Sequence, residues 1–242
     1  MISILPVAGL PEIREGDDLA QLVADRFALA DGDVVAVAQK AVSKVEGRVV
    51  RLADLEASPR AVELAAGERD PREVEAVLRE ARRIVRERAP LVIAETRHGF
   101  VCASAGVDHS NAPAAGTLVL LPHDPDASAA RLRDRFAALT GRAVAVLVTD
   151  SFGRPFRYGT ADVAIGVAGI APLVDLRGTA DRGGAELRTT RVALADELAS
   201  AADLVRRGKA DGLPVVVVRG LQPQGDGTAR ELVIPPELDL FR

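Results

Sequence analysis

The stretch Val146–Gly169, VLVTDSFGRPFRYGTADVAIGVAG, constrains this chain more than any other. It opens on a β-branched run that reads as a fully enclosed strand and closes on a second apolar run, VAIGVAGI. Between the runs lie Asp150, Ser151, Arg154, Arg157 and Asp162, in a turn rich in Gly and Pro. The C-terminal end of a buried strand is where an open sheet normally exposes ligand-binding groups. Carboxylate and hydroxyl oxygens suit a hard divalent cation such as Mg²⁺, and arginine forks suit phosphate or carboxylate. A solvated hairpin whose charges only keep it soluble is the plain alternative. Generic loops seldom set so many anion and cation binders between buried strands.

Before this stretch, ISILPV reads as a first strand, followed by a loop carrying Gly9, Leu10, Pro11, Glu12 and Gly16. A helix is expected over 17–29, capped by Asp17 or Asp18. DVVAVAQK is the next strand, and Gln39, Lys40, Ser43 and Lys44 follow in a loop that Gly47 ends. Lysines at a strand end can meet phosphate as point charges, or can simply face solvent. Asp70-Pro71-Arg72-Glu73 is a helix start, with Asp as cap, Pro first and Glu three residues on. The apolar face Val74, Val77, Leu78, Ala81, Ile84 and Val85 extends that helix to about Arg86. Its arginine-rich far side, interspersed with Glu, reads as a solvated or subunit-facing surface.

LVIAET and GFVCASAG read as strands, and the turn after them holds Asp108 and Asn111. Asp108 is a second candidate metal carboxylate, although a DHSN turn can equally cap itself. TLVLLP is another strand, and a helix from Pro125 to about Leu139 carries Asp124 as its cap and Gly141 as its stop. DLRGTADRGG reads as a mobile loop over the site, Glu186 to Arg207 as an amphipathic helix ending at Gly208, and LPVVVVRG as the last strand.

Composition narrows the class. The core of a 242-residue chain with no Trp, one Tyr and six Phe must be built from Ala, Val, Leu and Ile. A net charge of −4 without a basic, aromatic-interleaved stripe argues against nucleic acid. No apolar run reaches membrane-spanning length and the N-terminus is not a signal peptide, so a cytoplasmic protein is expected. The lone Cys102 sits in an apolar strand and reads as a buried structural thiol, and His98 and His123 lack zinc spacing. GxxxxGK[ST], GxGxxG and GxSxG are all absent, so a nucleotide site would have to be assembled from separated loops.

DSFGRPFRYGTADVAIGVAG closely resembles the central signature of the coenzyme F420:L-glutamate ligase (F420-0:γ-glutamyl ligase) family, in its stand-alone form. AGLPEIREGDDL, AQKAVSKVEGR and GFVCASAGVDHSN match in the same order, which spreads the resemblance over nearly the whole chain. The resemblance implies metal binding by Asp108, Asp150 and Ser151. It implies nucleotide contacts from Gly9, Leu10, Pro11, Glu12, Gln39, Lys40, Lys44 and Asn111, and from RRGKADG through Arg207, Gly208 and Lys209. Asp150, Arg154, Arg157 and Asp162 are the expected catalytic set, although the family's YGQTD reads YGTAD here and alters the surroundings of Asp162. GTP would activate the lactyl carboxylate of F420-0 as an acyl phosphate. L-glutamate would then attack, releasing GDP and phosphate, and further γ-linked glutamates can follow. Mg²⁺ or Mn²⁺, K⁺ and a homodimer belong to the same expectation, and so does one ligase-type domain over 1–242 with no C-terminal flavin reductase domain.

The expected fold is a mixed α/β (α+β) protein of two intertwined lobes with mixed and antiparallel sheets, not a TIM barrel, P-loop or Rossmann fold. Two other functions share these residues. One is a metal- and nucleotide-dependent ligase joining an amino acid to a different cofactor, and the other is a non-catalytic nucleotide-binding regulator.

Overall fold

The computed structural model describes residues 1–206 and 211–240. In chain order its elements are β1 (Ser3–Pro6), α1 (Leu19–Ala24), β2 (Val34–Ala38), α2 (Gln39–Val45), β3 (Val49–Arg51), α3 (Pro59–Ala65), α4 (Pro71–Glu80), β4 (Ala81–Arg88) and β5 (Leu91–Thr96). There follow β6 (Val101–Ala103), β7 (Thr117–Val119), α5 (Pro125–Thr140), β8 (Ala145–Arg154), β9 (Arg157–Ala168), β10 (Val174–Asp175), β11 (Arg191–Val192), α6 (Leu194–Arg206) and β12 (Val215–Arg219).

The principal sheet has five strands in the order β1-β12-β2-β8-β9. Only the central β2/β8 pair is parallel; β1/β12, β12/β2 and β8/β9 are antiparallel. Its valine-rich strands are buried on both faces, as the uninterrupted runs required. Ala36 and Val216 pack on Ala202 of α6, while the alternate residues Val35 and Val37 join a larger cluster that includes Phe136 of α5. Each fully buried Val adds about 1.5–3 kcal/mol relative to exposure.

Residues 48–120 form a second hydrophobic cluster, in which α3 and α4 contribute Leu64, Val74 and Val77 and the strands contribute Val92, Ala94 and Leu118. Its sheets are the antiparallel β4-β5-β6 and β3-β7. The two ends of the insertion meet: the Leu120 N–H donates to Arg48 O at 2.9 Å, and Arg48 Nε donates to Leu121 O at 2.8 Å. The mixed α/β fold with mostly antiparallel sheets and no closed barrel is as expected.

Several caps match their sequence signatures. Asp18, Asp70 and Asp124 accept the Gln21, Arg72 and Ala127 N–H groups, and Gly141 ends α5 in the left-handed region.

Four boundaries differ from expectation. The 17–29 helix is confined to Leu19–Ala24. Residues 39–45, expected as loop, are the helix α2, with Gln39, Ala41, Val42, Ser43 and Lys44 buried. The helix begun at Pro71 stops at Glu80, and Ala81–Arg88 is the strand β4. Helical and strand periodicities overlap in this short apolar pattern; pairing of Ile84 with Ala94 and of Arg88 with Leu91 across a tight turn decides for the strand. The final helix starts at Leu194 rather than Glu186, and the polar segment before it carries the short β10–β11 pair. Gly208, expected to stop that helix, lies outside the described residues. Among the described residues no helix is long and apolar enough to cross a membrane.

Candidate active site at the junction of the two clusters

The site forms where the parallel β2/β8 pair ends. Ala38 pairs with Thr149 in the last β2/β8 rung, and beyond it β8 runs on to Arg154 with β9 as its partner. Asp150 is therefore the first β8 residue past the supported sheet, directly opposite Val163. Successive strand residues face opposite ways, so Asp150 and Ser151 send their side chains to different faces.

Asp150 faces the second cluster. Burial pushes its carboxyl up to about 7; the Asp162 and Asp108 carboxylates add to the rise, while the Ser151 N–H and the Lys40 ammonium oppose it. Lys40, in the first turn of α2, donates to Asp108 Oδ2 at 2.6 Å and to Ser110 O at 2.9 Å. Asp108 is further held by Ser110, whose N–H reaches Oδ1 at 2.7 Å and whose hydroxyl reaches Oδ2 at 2.8 Å. Before it, Ser104, Ala105 and Gly106 all have positive φ, and a Cβ on Gly106 would lie 2.7 Å from Leu121 Cγ. That close approach sets the Asp108 turn against the main sheet.

On the opposite face, Ser151 Oγ donates to Asp162 Oδ1 at 2.6 Å and Thr149 Oγ1 meets Asp162 Oδ2 at 3.2 Å. Asp162, only 3% exposed, also accepts from Arg206 Nη1 at 2.6 Å.

The expected nucleotide residues fall into two groups. The loop of Gly9, Leu10, Pro11 and Glu12 is tied to α2 through Lys44 Nζ and Glu12 Oε1, 2.5 Å apart. Lys44 is a largely buried residue of a helix rather than of the loop expected. Gln39 is also buried, its amide donating to Ser43 Oγ at 2.6 Å and Leu120 O at 2.8 Å. Asn111, with φ 55°, lies in the Asp108 turn. Arg207, Gly208 and Lys209 are outside the described residues.

Arg154 and Arg157 pair with each other at the far end of the β8–β9 ribbon. That is four residues beyond Asp150, or about 13 Å. Arg154 Nη2 donates to Tyr158 O at 2.5 Å. Within one chain these arginines are not brought to Asp150.

The donor chemistry fits a hard divalent cation. Asp108 and Asp150 offer oxygens, and each carboxylate raises the cost of ionising its neighbour, which a cation would relieve. Among the described residues no three His, Cys, Asp or Glu side chains cluster to hold a metal by themselves, so phosphate and water oxygens would complete the shell. Ser151 would join it through a backbone oxygen or after rotation, because its hydroxyl faces Asp162.

Arg206 and Thr149 were not singled out from the sequence. The available signal was position: Arg206 falls on the same helix face as Ala195, Ala199 and Ala202, and an arginine in an apolar stripe demands a buried partner.

A family model described as F420-0:Gamma-glutamyl ligase matches residues 9–220. The Coenzyme F420:L-glutamate ligase of Methanopyrus kandleri is 48% identical over 100% of this chain and 98% of its own. The protein of that name from Methanothermobacter thermautotrophicus is 44% identical over 100% and 99%, and that from Archaeoglobus fulgidus 43% over 100% and 96%. A family model matched over residues 9–220 and relatives 43–48% identical along the whole chain show that the chain belongs to the F420-0:gamma-glutamyl ligase family.

Proposed function

We propose that the chain is a GTP-dependent, GDP-forming ligase that joins L-glutamate to coenzyme F420-0 through an amide bond. The observation that carries this reading is the meeting of Asp108 and Asp150 from two clusters around Lys40, beside the Glu12–Lys44 loop. A free carboxylate does not condense with an amine in water until its oxygen becomes a leaving group. Transfer of the GTP γ-phosphoryl group to the lactyl carboxylate makes an acyl phosphate and releases GDP. The glutamate amine then attacks the acyl carbon, and phosphate departs with the former carboxylate oxygen.

In this scheme Lys40 and Lys44 supply point charges along the phosphates, and Gly9–Glu12 line the nucleotide. Asp108 and Asp150 would hold Mg²⁺ or Mn²⁺, which when bound neutralises phosphate charge and orients the transferred group. No enzyme nucleophile is required. Burial pushes the Cys102 thiol up to about 12, so the lone cysteine is unsuited to that role. K⁺ dependence, a homodimer whose second copy brings Arg154 and Arg157 to the substrate anions, and a cytoplasmic location belong to the same proposal.

The test is incubation with GTP, Mn²⁺ and glutamate, with and without F420-0, reading phosphate release and product mass. Release that needs both substrates, with one glutamate residue of added mass, is the expected result. Turnover only with another acceptor would shift the reading to a different cofactor ligase, and tight GTP binding without turnover would make the protein a regulator. Lys44→Ala should weaken GTP binding about tenfold in calorimetry and, because its partner Glu12 is largely exposed, cost no more than about 1 kcal/mol of stability.

A further inference from the structure

We propose that Arg206 is a positioning residue of the active site: through Asp162 it clamps the Thr149–Asp150–Ser151 segment so that the Asp150 carboxylate faces Asp108. The inference rests on the functional reading above only in taking Asp150 as a working group of the site. Arg206 is 7% exposed at the end of α6. Its Nη1 donates to Thr149 Oγ1 and to Asp162 Oδ2, both at 2.6 Å, and its Nη2 donates to Ala36 O at 3.0 Å. One guanidinium thus joins β2, β8, β9 and α6.

The place of this junction is the argument. At Thr149 the central strand loses its β2 neighbour, and from Asp150 onward it is paired in the sheet only with β9. A two-stranded ribbon has little stability of its own in water. The register also slips between Val148 and Thr149, which loosens the ladder at the same level. Asp162 accepts from Ser151 and Thr149, the two neighbours of Asp150, so its carboxylate brackets that residue from behind. Ser200 Oγ donates to Asp162 O at 2.8 Å and anchors the same rung to α6.

A buried ion pair is a poor device for stability alone, since apolar residues of similar volume do as well or better. Arg206 Nε is moreover buried without a hydrogen-bond partner among the described residues, a cost that packing would not select. What the pair provides is direction. The planar guanidinium fixes where Asp162 points, and Asp162 fixes the strand that presents Asp150.

The test compares Arg206→Lys, Arg206→Met and the double variant Arg206→Met/Asp162→Leu, which leaves no buried charge unpaired. Two readings are taken on the full chain: hydrogen exchange of amides 150–163, and Mn²⁺ binding by electron paramagnetic resonance. The expected result is exchange at least tenfold faster in the ribbon with β2 and β12 still protected, and about tenfold weaker Mn²⁺ binding, in the double variant as well as in Arg206→Met. Arg206→Lys should restore part of both. Wild-type ribbon protection and Mn²⁺ affinity in the folded double variant would overturn the proposal, even if its melting temperature fell. Wild type that binds no Mn²⁺ would instead count against the metal reading of the site, while hydrogen exchange would still decide the role of Arg206.

Discussion

The two halves of the β8–β9 hairpin share a ladder and little else. In the inner half, Val146–Thr149 pair with β2 on one side and β9 on the other, and the β9 residues Ala164–Ala168 are buried between α5 and α6. In the outer half the ribbon stands alone, and every residue from Gly153 to Thr160 is exposed. Asp150 and Asp162 sit at the border, one turned toward Asp108 and one locked to Arg206. The inner half therefore supplies rigidity, the outer half reach, and the candidate site lies where the first gives way to the second. Functional groups held at the edge of a rigid element gain precision without a buried backbone that lacks partners.

The largest effect should come from Asp150→Asn at that border. Loss of its charge should cut ligation about 10²–10³-fold, as removal of a charge-stabilising group does elsewhere, and raise the metal concentration needed. The same variant has a stability signature. The native carboxyl titrates near 7, above its unfolded value of 3.8, so the native state binds more protons than the unfolded state between those limits. Wild type without divalent metal should thus lose stability as pH rises from about 4 to 7, and Asp150→Asn should lack that loss. Thermal melts at several pH values check this; parallel curves for the two proteins would mean that Asp150 is already neutral or already paired.

Gly166→Ala tests the inner half. An added Cβ would lie 2.2 Å from Pro125 O at the start of α5, a backbone atom that cannot swing aside. Overpacking of this kind costs about 1–3 kcal/mol, or several degrees in Tm. Wild-type melting would show that β9 and α5 have slack between them. Tyr158→Ser tests the outer half. Its side chain is fully exposed, so stability should stay within about 0.5 kcal/mol of wild type. A substantial drop in concentrated but not in dilute protein would show that the ribbon tip packs on a second copy.

The sequence was most legible where one local signal decided the outcome. Asp70 and Asp124 as caps, Gly141 as a stop, and the valine runs as enclosed strands all hold in the structure. It was least legible where partners distant in sequence decide. Ala81–Arg88 has a helical stripe, yet it pairs with β5, and Lys44 lies in a helix because its neighbours bury against the main core. At the site, motifs named Asp108, Asp150 and Ser151 together, but strand alternation sends the Ser151 hydroxyl to the other face. The role of Arg206 was hidden because its partners lie on β2, β8 and β9, none adjacent in sequence.

The insertion of residues 48–120, whose two ends meet through Arg48, Leu120 and Leu121, also bears on how the molecule is assembled and how freely it can be resized. To the five-stranded sheet this whole segment is one closed loop, and the entropy of closing a loop grows only with the logarithm of its length. Doubling the segment would cost the host sheet only about 0.6 kcal/mol more. Away from Phe100, which packs in the main core, and from the Asp108 turn, its length can thus change with little entropic penalty to the sheet that carries it. Its alignment with Lys40 has no such latitude, because the Lys40–Asp108 contact of 2.6 Å is lost by a shift of little more than one ångström.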